Sequence, residues 1–105
     1  MAATSTLQVL AEPSRKAILD LLAERERPVG ELVALLGQSQ PGVSRHLRVL
    51  RDAGLVEARA EGQRRVYRVR AEPLVELDAW LGTYRRLWTG RLDQLEGHLE
   101  DRRRR

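Results

Sequence analysis

The chain has 105 residues, a net charge of +4 and no cysteine. That length fits one domain, and the absence of thiols excludes disulfides and thiolate metal centres. No run of about 18 apolar residues occurs, which excludes a membrane-spanning helix, and Met1 to Thr6 is short and uncharged, unlike a secretory signal, so the expected location is the cytoplasm.

Thr4 to Leu10 forms a short helix candidate carrying Leu7, Val9 and Leu10. Pro13 and Ser14 open a second helix, because proline in a first turn forfeits no hydrogen bond. Ala17, Ile18, Leu21 and Leu22 then recur with a helical period. Glu24 to Pro28 reads as a charged turn. A third, short helix carries Glu31, Leu32, Val33, Leu35 and Leu36 and stops at Gly37, the common helix terminator. Ser39 is a good N-cap for a fourth helix, since its hydroxyl can accept a free backbone N–H. Pro41 sits in that helix's first turn, and the helix runs to Ala53 and ends at Gly54. The period then becomes alternating. Leu55 to Arg59 and Arg64 to Arg70 read as two strands around a turn at Gly62, which is a β-hairpin. Glu72 and Pro73 begin a last helix that continues to about Leu99.

The expected fold class is therefore mainly α with a small antiparallel β-hairpin, in the order of a winged helix-turn-helix. Residues 1–99 make the single domain: the helix-turn-helix spans about 30–54, the wing about 55–70 and the long C-terminal helix about 72–99. Residues 100–105 form a basic tail that is expected to be disordered.

Charge is concentrated in one segment. From Ser39 to Arg70 there are eight arginines against Asp52, Glu57 and Glu61, a balance of +5; the rest of the chain carries −1. A localised basic patch is the footprint of a phosphate-binding protein. At about 100° per residue, Val43, Leu47 and Leu50 share one side of the fourth helix and pack inward. Gln40, Ser44, Arg48 and Arg51 share the other, with Arg45 at its edge. Arginine can read guanine, glutamine can read adenine and serine can read either in the major groove. Residues near the start of such a helix reach deepest. Gln40, Ser44 and Arg45 are therefore candidates for base reading, and Arg48 and Arg51 for phosphate. Gly42 leaves room for close backbone approach. His46 reads equally as a packed histidine or a phosphate ligand. In the hairpin, Arg59, Arg64, Arg65, Arg68 and Arg70 surround Val66 and Tyr67. Gln63, Arg64 and Arg65, near the tip, are the favoured DNA contacts; a solvated hairpin protected by its charges is the bland alternative.

The run from Gln38 to Val56, QSQPGVSRHLRVLRDAGLV, resembles the recognition segment of the ArsR/SmtB family. Leu10 to Leu22 and the wing segment Gly62-Gln63-Arg64-Arg65-Val66-Tyr67 are similar to the same family. The resemblance implies a homodimeric winged-helix repressor that binds a double-stranded, inverted-repeat operator and releases it on an effector signal, the effector itself staying unnamed. On that alignment the sensor cysteines of the metal-responsive members fall at Pro28 and Gly30, and the last helix holds one histidine, His98. No metal site and no cofactor are expected, which places the chain nearer the family's non-metal branch.

Leu74, Leu77, Leu81, Tyr84, Trp88, Leu92, Leu95 and Leu99 recur at intervals of three and four, an a/d-like seam, widened by Trp80 and Leu87. A helix of some 27 residues is about 40 Å long, too long for so small a core to cover. Leu7, Leu77, Trp80, Leu81, Tyr84, Trp88, Leu92 and Leu95 are therefore expected at a two-fold interface. Trp80 packing as core over the fourth helix, and an aromatic small-molecule pocket, are the alternatives. No nucleophile with a base, no His–carboxylate cluster and no phosphate loop occurs, so an enzyme is not expected. A winged-helix module that binds an acidic protein partner is the competing function.

Overall fold

The computed structural model describes residues 3–104, with side chains from Ser5 to Glu100 and at Arg102. Its elements are α1 (Ala3–Leu10), α2 (Pro13–Glu24), β1 (Arg27–Pro28), α3 (Val29–Leu36), α4 (Gln40–Asp52), β2 (Val56–Glu61), β3 (Arg64–Val69) and α5 (Glu72–Arg104). This is a mainly helical fold with a small antiparallel sheet, the winged helix-turn-helix arrangement with a long last helix.

Local chemistry explains most element boundaries. Glu12 caps α2: its carboxylate accepts the Arg15 amide N–H at 3.0 Å, with Pro13 just inside the helix. Between α3 and α4 the chain turns at Gly37, whose φ is 65° and whose N–H donates a hydrogen bond to the Val33 carbonyl at 3.0 Å, closing α3. A side chain at that φ would be strained. Ile18 and Leu22 of α2, Leu32 of α3 and Val43, Leu47 and Leu50 of α4 meet in one core, closed from below by Leu55, Val56 and Tyr67.

The sheet has one more strand than the sequence suggests. Its order is β1-β3-β2, all antiparallel, with Arg27 opposite Tyr67 and Pro28 opposite Val66. The expected charged turn thus contains a strand. Arg27 is only 6% exposed. Its Nε donates to the Leu21 carbonyl at 3.0 Å, and its guanidinium binds Glu24 at 2.6 Å and Glu31. Two carboxylates and a carbonyl satisfy the buried cation, which a burial of this kind requires. Burial pushes the Glu31 carboxyl up, but the hydrogen bond from Arg27 and the charges of Arg25 and Arg27 outweigh it and leave it below the usual range.

The C-terminal helix also differs from expectation. It runs five residues past Leu99, so Arg102 to Arg104 continue α5 instead of forming an irregular tail; Arg105 lies outside the described residues. Arginine is a good helix former, and cations at a helix C-terminus face the negative end of its dipole. With 33 residues, α5 is about 50 Å long. It carries the radius of gyration to 18.9 Å, against about 13 Å for a compact chain of this size. No helix among the described residues is long and apolar enough to cross a membrane.

Candidate nucleic-acid interface

The start of α4 is built by Ser39 and Gly42. The Ser39 hydroxyl accepts the Gly42 amide at 3.2 Å, capping the helix. A Cβ on Gly42 would come within 3.1 Å of that same hydroxyl oxygen. The glycine therefore has a local reason to be there, preserving the cap, beside any role in letting DNA approach. Val43, Leu47 and Leu50 are fully buried and fix the rotation of the helix. Gln40, Ser44, Arg45, Arg48 and Arg51 consequently point to solvent.

The wing stands beside that face. β2 and β3 pair in register from Val56 opposite Val69 to Glu61 opposite Arg64. The two-residue loop is Gly62-Gln63, and of the two only Gly62 has a positive φ, 63°, the pattern of a type II′ hairpin turn. Between α4 and the wing lies a cleft of about 700 Å³. Gln40, Ser44, Arg48 and Arg51 line one wall, and Gln63, Arg64, Arg65 and Tyr67 the other. Eight of the sequence-predicted DNA residues thus share one concave surface. Pro28, Val29, Gly30 and Glu31 close its end, and no local pattern marks them for this surface. Arg45 sits outside the cleft, in a smaller depression with Pro41, Ser44 and Arg48.

Two predicted residues take other positions. Tyr67 is 7% exposed and belongs to the core as well as to the cleft floor, with the Arg65 guanidinium 5.8 Å from its ring centroid. His46 does not line the cleft. It is half-buried on the flank of α4, its Nδ1 3.7 Å from the Glu12 carboxylate at the start of α2.

Electrostatically, the wing is less basic than its five arginines suggest. Arg59 makes a two-pronged bond to Glu26, at 2.7 and 2.6 Å, and a third to Glu61 at 2.9 Å. The hydrogen bond from Arg59 lowers the Glu26 carboxyl below its ordinary value, and the bonds to Glu26 and Glu61 raise the guanidinium further. Arg64 reaches Glu61 at 3.4 Å, Arg68 binds Glu57, and Arg70 lies 3.8 and 3.5 Å from Glu57 and Glu72. In contrast, Arg45, Arg48, Arg51 and Arg65 form no ion pair with any described residue. The uncompensated positive charge therefore faces outward from α4 and from one side of β3. Glu26 and Glu57 had no visible role in the sequence; their partners sit 33 and 11 positions away.

The expected interface helix is exposed where a partner would be needed. Leu77 and Leu81, near the start of α5, are half-buried, and α5 packs against α1. Leu7, Trp80, Tyr84, Leu87, Trp88, Leu92, Leu95 and Leu99 are exposed. Trp80, at 46% exposure, is not core over α4; its ring tilts against Tyr84 at a centroid distance of 5.2 Å. Among the described residues no three His, Cys, Asp or Glu side chains group as a metal site would require.

Comparison with known proteins places these features among transcriptional regulators. Residues 12–58 match the family model described as a bacterial regulatory protein of the arsR family. The HTH-type transcriptional regulator Rv2034 of Mycobacterium tuberculosis is 44% identical over 82 residues, covering 78% of this chain and 74% of the relative. The biofilm growth-associated repressor of Agrobacterium fabrum is 41% identical over 71 residues, 68% of this chain and 61% of that protein. Some curated relatives are longer, and the chain spans only 61–62% of several of them. Among solved structures, an ArsR family transcriptional regulator designated RHA00566 superposes with a TM-score of 0.72 at 29% identity, over 85% of this chain and 97% of that one.

Proposed function

Because the chain belongs to the ArsR family of bacterial regulatory proteins, we propose that it is a cytoplasmic, homodimeric repressor that binds an inverted-repeat DNA operator. The observation that carries this reading is the outward face of α4. There Gln40, Ser44 and Arg45 are free for base edges, while Arg48 and Arg51, with Arg65 of β3 across the cleft, have no acid partner among the described residues and are free for phosphate. α4 enters the major groove with its N-terminal end leading. The cleft between α4 and the wing takes the adjoining sugar–phosphate backbone. Backbone contacts set register, and the base contacts of α4 supply sequence preference.

Two copies are needed for selectivity. A second protomer held through α5 and α1 places a second recognition helix about 34 Å away, one turn of DNA. The exposed aliphatic and aromatic stripe of α5 supports that partner. No catalytic step enters this function; the protein acts by occupying its site.

The test is a gel-shift against fragmented genomic DNA, followed by recovery and sequencing of the retained fragments. The expected result is a small set of fragments sharing a two-fold symmetric motif and bound in a salt-sensitive way. Uniform retention of all fragments, or retention of none at moderate ionic strength, would refute the repressor and favour an acidic protein as the partner of the basic face.

A further inference from the structure

The wing tip holds a contact that DNA has to break. Glu61 ends β2 and Arg64 begins β3, directly opposite each other across the Gly62-Gln63 loop. One Glu61 oxygen accepts from Arg64 at 3.4 Å and the other from Arg59 at 2.9 Å. Arg64 lines the cleft beside α4 together with Arg65, so one of the two wing arginines placed to meet the backbone already has an anion. Arg65, the next residue on the strand, lies on the other face of the hairpin; it lines the same cleft, over Tyr67, and has no acid partner among the described residues.

We propose that Glu61 sets the DNA affinity of the wing by holding Arg64, so that the tip engages a phosphate only by exchanging one anion for another. The inference rests on the DNA-binding function proposed above. The Glu61 and Arg64 side chains are 49% and 61% exposed. Ion pairs that open to solvent are weak. Glu61 therefore attenuates the contact without blocking it. The attenuation falls on a sequence-independent contact and leaves the reading face of α4 untouched. It lowers non-specific binding and so widens the ratio of specific to non-specific affinity, the quantity that decides occupancy in a genome. The bracing of the wing does not depend on Glu61. Arg59 keeps both bonds to Glu26 and the hairpin keeps its register, so removing the Glu61 charge frees Arg64 without releasing the wing.

The experiment is a fluorescence-anisotropy titration of a short mixed-sequence duplex with the full chain, from about 50 to about 200 mM salt. Four proteins are compared: wild type, Glu61→Gln, Arg64→Ala and the double variant, each checked for an unchanged fold by circular dichroism. Glu61→Gln is expected to bind about two- to fivefold more tightly per wing at low salt, the range of one exposed ion pair. Its plot of log affinity against log salt should steepen by about 0.9 per wing. In the Arg64→Ala background the gain should vanish. A gain of the same size without Arg64 would show a through-space charge effect and overturn the proposal, as would no gain at all. If neither wild type nor Glu61→Gln binds the duplex even at low salt, the DNA-binding function fails as well.

Discussion

Replacing Trp88 by alanine should take the proposed dimer apart. In the single chain Trp88 keeps 53% of its surface exposed. A tryptophan offers up to about 250 Å², which leaves roughly 130 Å² per protomer for a partner to cover. At about 25 cal/mol per Å², that burial stabilises the assembly by about 3 kcal/mol per copy. Alanine retains a small part of it, so the loss is about 2–3 kcal/mol. A two-fold interface loses both copies, about 4–6 kcal/mol per dimer, which raises the dissociation constant by about three to four orders of magnitude. Sedimentation equilibrium over a concentration series reads this directly, and circular dichroism confirms that the variant still folds. Val75→Ala is the control. Val75 is also exposed, but it lies thirteen positions from Trp88, about 220° around the helix, and its removal should leave association unchanged. The reasoning fails if folded Trp88→Ala dimerises within about threefold of wild type, because the stripe would then not be the interface.

Arg45→Ala should weaken operator binding by about 1–3 kcal/mol while barely changing binding to random duplex; Arg65→Ala should weaken both alike and lower the salt slope by about 1, and parallel titrations of the two DNAs separate the cases. Ser39→Ala removes the cap that holds the Gly42 amide, which should cost about 1 kcal/mol and lower the melting temperature by about 4–8 °C; Ser39→Asp should restore most of it. Glu26 is lowered in the fold by its hydrogen bond from Arg59, from an ordinary value of 4.5. A carboxyl lowered in the fold contributes stability above its unfolded pKa and loses it as pH falls through the folded one. The melting-temperature gap between wild type and Glu26→Gln should thus be present at neutral pH and close as the pH drops below 4.5; a gap that persists in acid would mean that Glu26 acts by packing.

The parts of the fold legible in the sequence are those with local causes. Ser39, Pro41 and the Val43-Leu47-Leu50 spacing announce α4 because capping and helical period act within a few residues. Gly37 and Gly62 announce their turns because a positive φ is a property of one residue. β1 has no such signal. Two residues, one a proline, form a strand only because β3, some forty positions later, comes to lie beside them; a buried arginine in a charged stretch looks like solvated surface until Glu24 and Glu31 surround it. The residues of the interface were readable as types and not as charges. Counting arginines overstates the wing, since Glu26, Glu57 and Glu61 neutralise much of it. None of that was legible: the alternating pattern ends the first strand at Arg59 and leaves four residues before Arg64, whereas the two-residue loop that sets Glu61 opposite Arg64 and Glu57 opposite Arg68 comes only with the fold. Nor was the Glu26–Arg59 bond, because nothing local connects the two. The end of α5 was missed because four arginines in a row resemble a solvated tail more than a final helical turn.

The length of α5 has a mechanical consequence. A rod of 33 residues, about 50 Å long, acts as a lever when it carries a DNA-reading head near one end and is gripped along its seam. Rotating the grip by about 10° swings the head by about 9 Å, a quarter of the roughly 34 Å that separates successive turns of the groove. In the proposed dimer, a small change in how two such rods cross would therefore carry one reading helix out of phase with the other while the core of each head stays as it is.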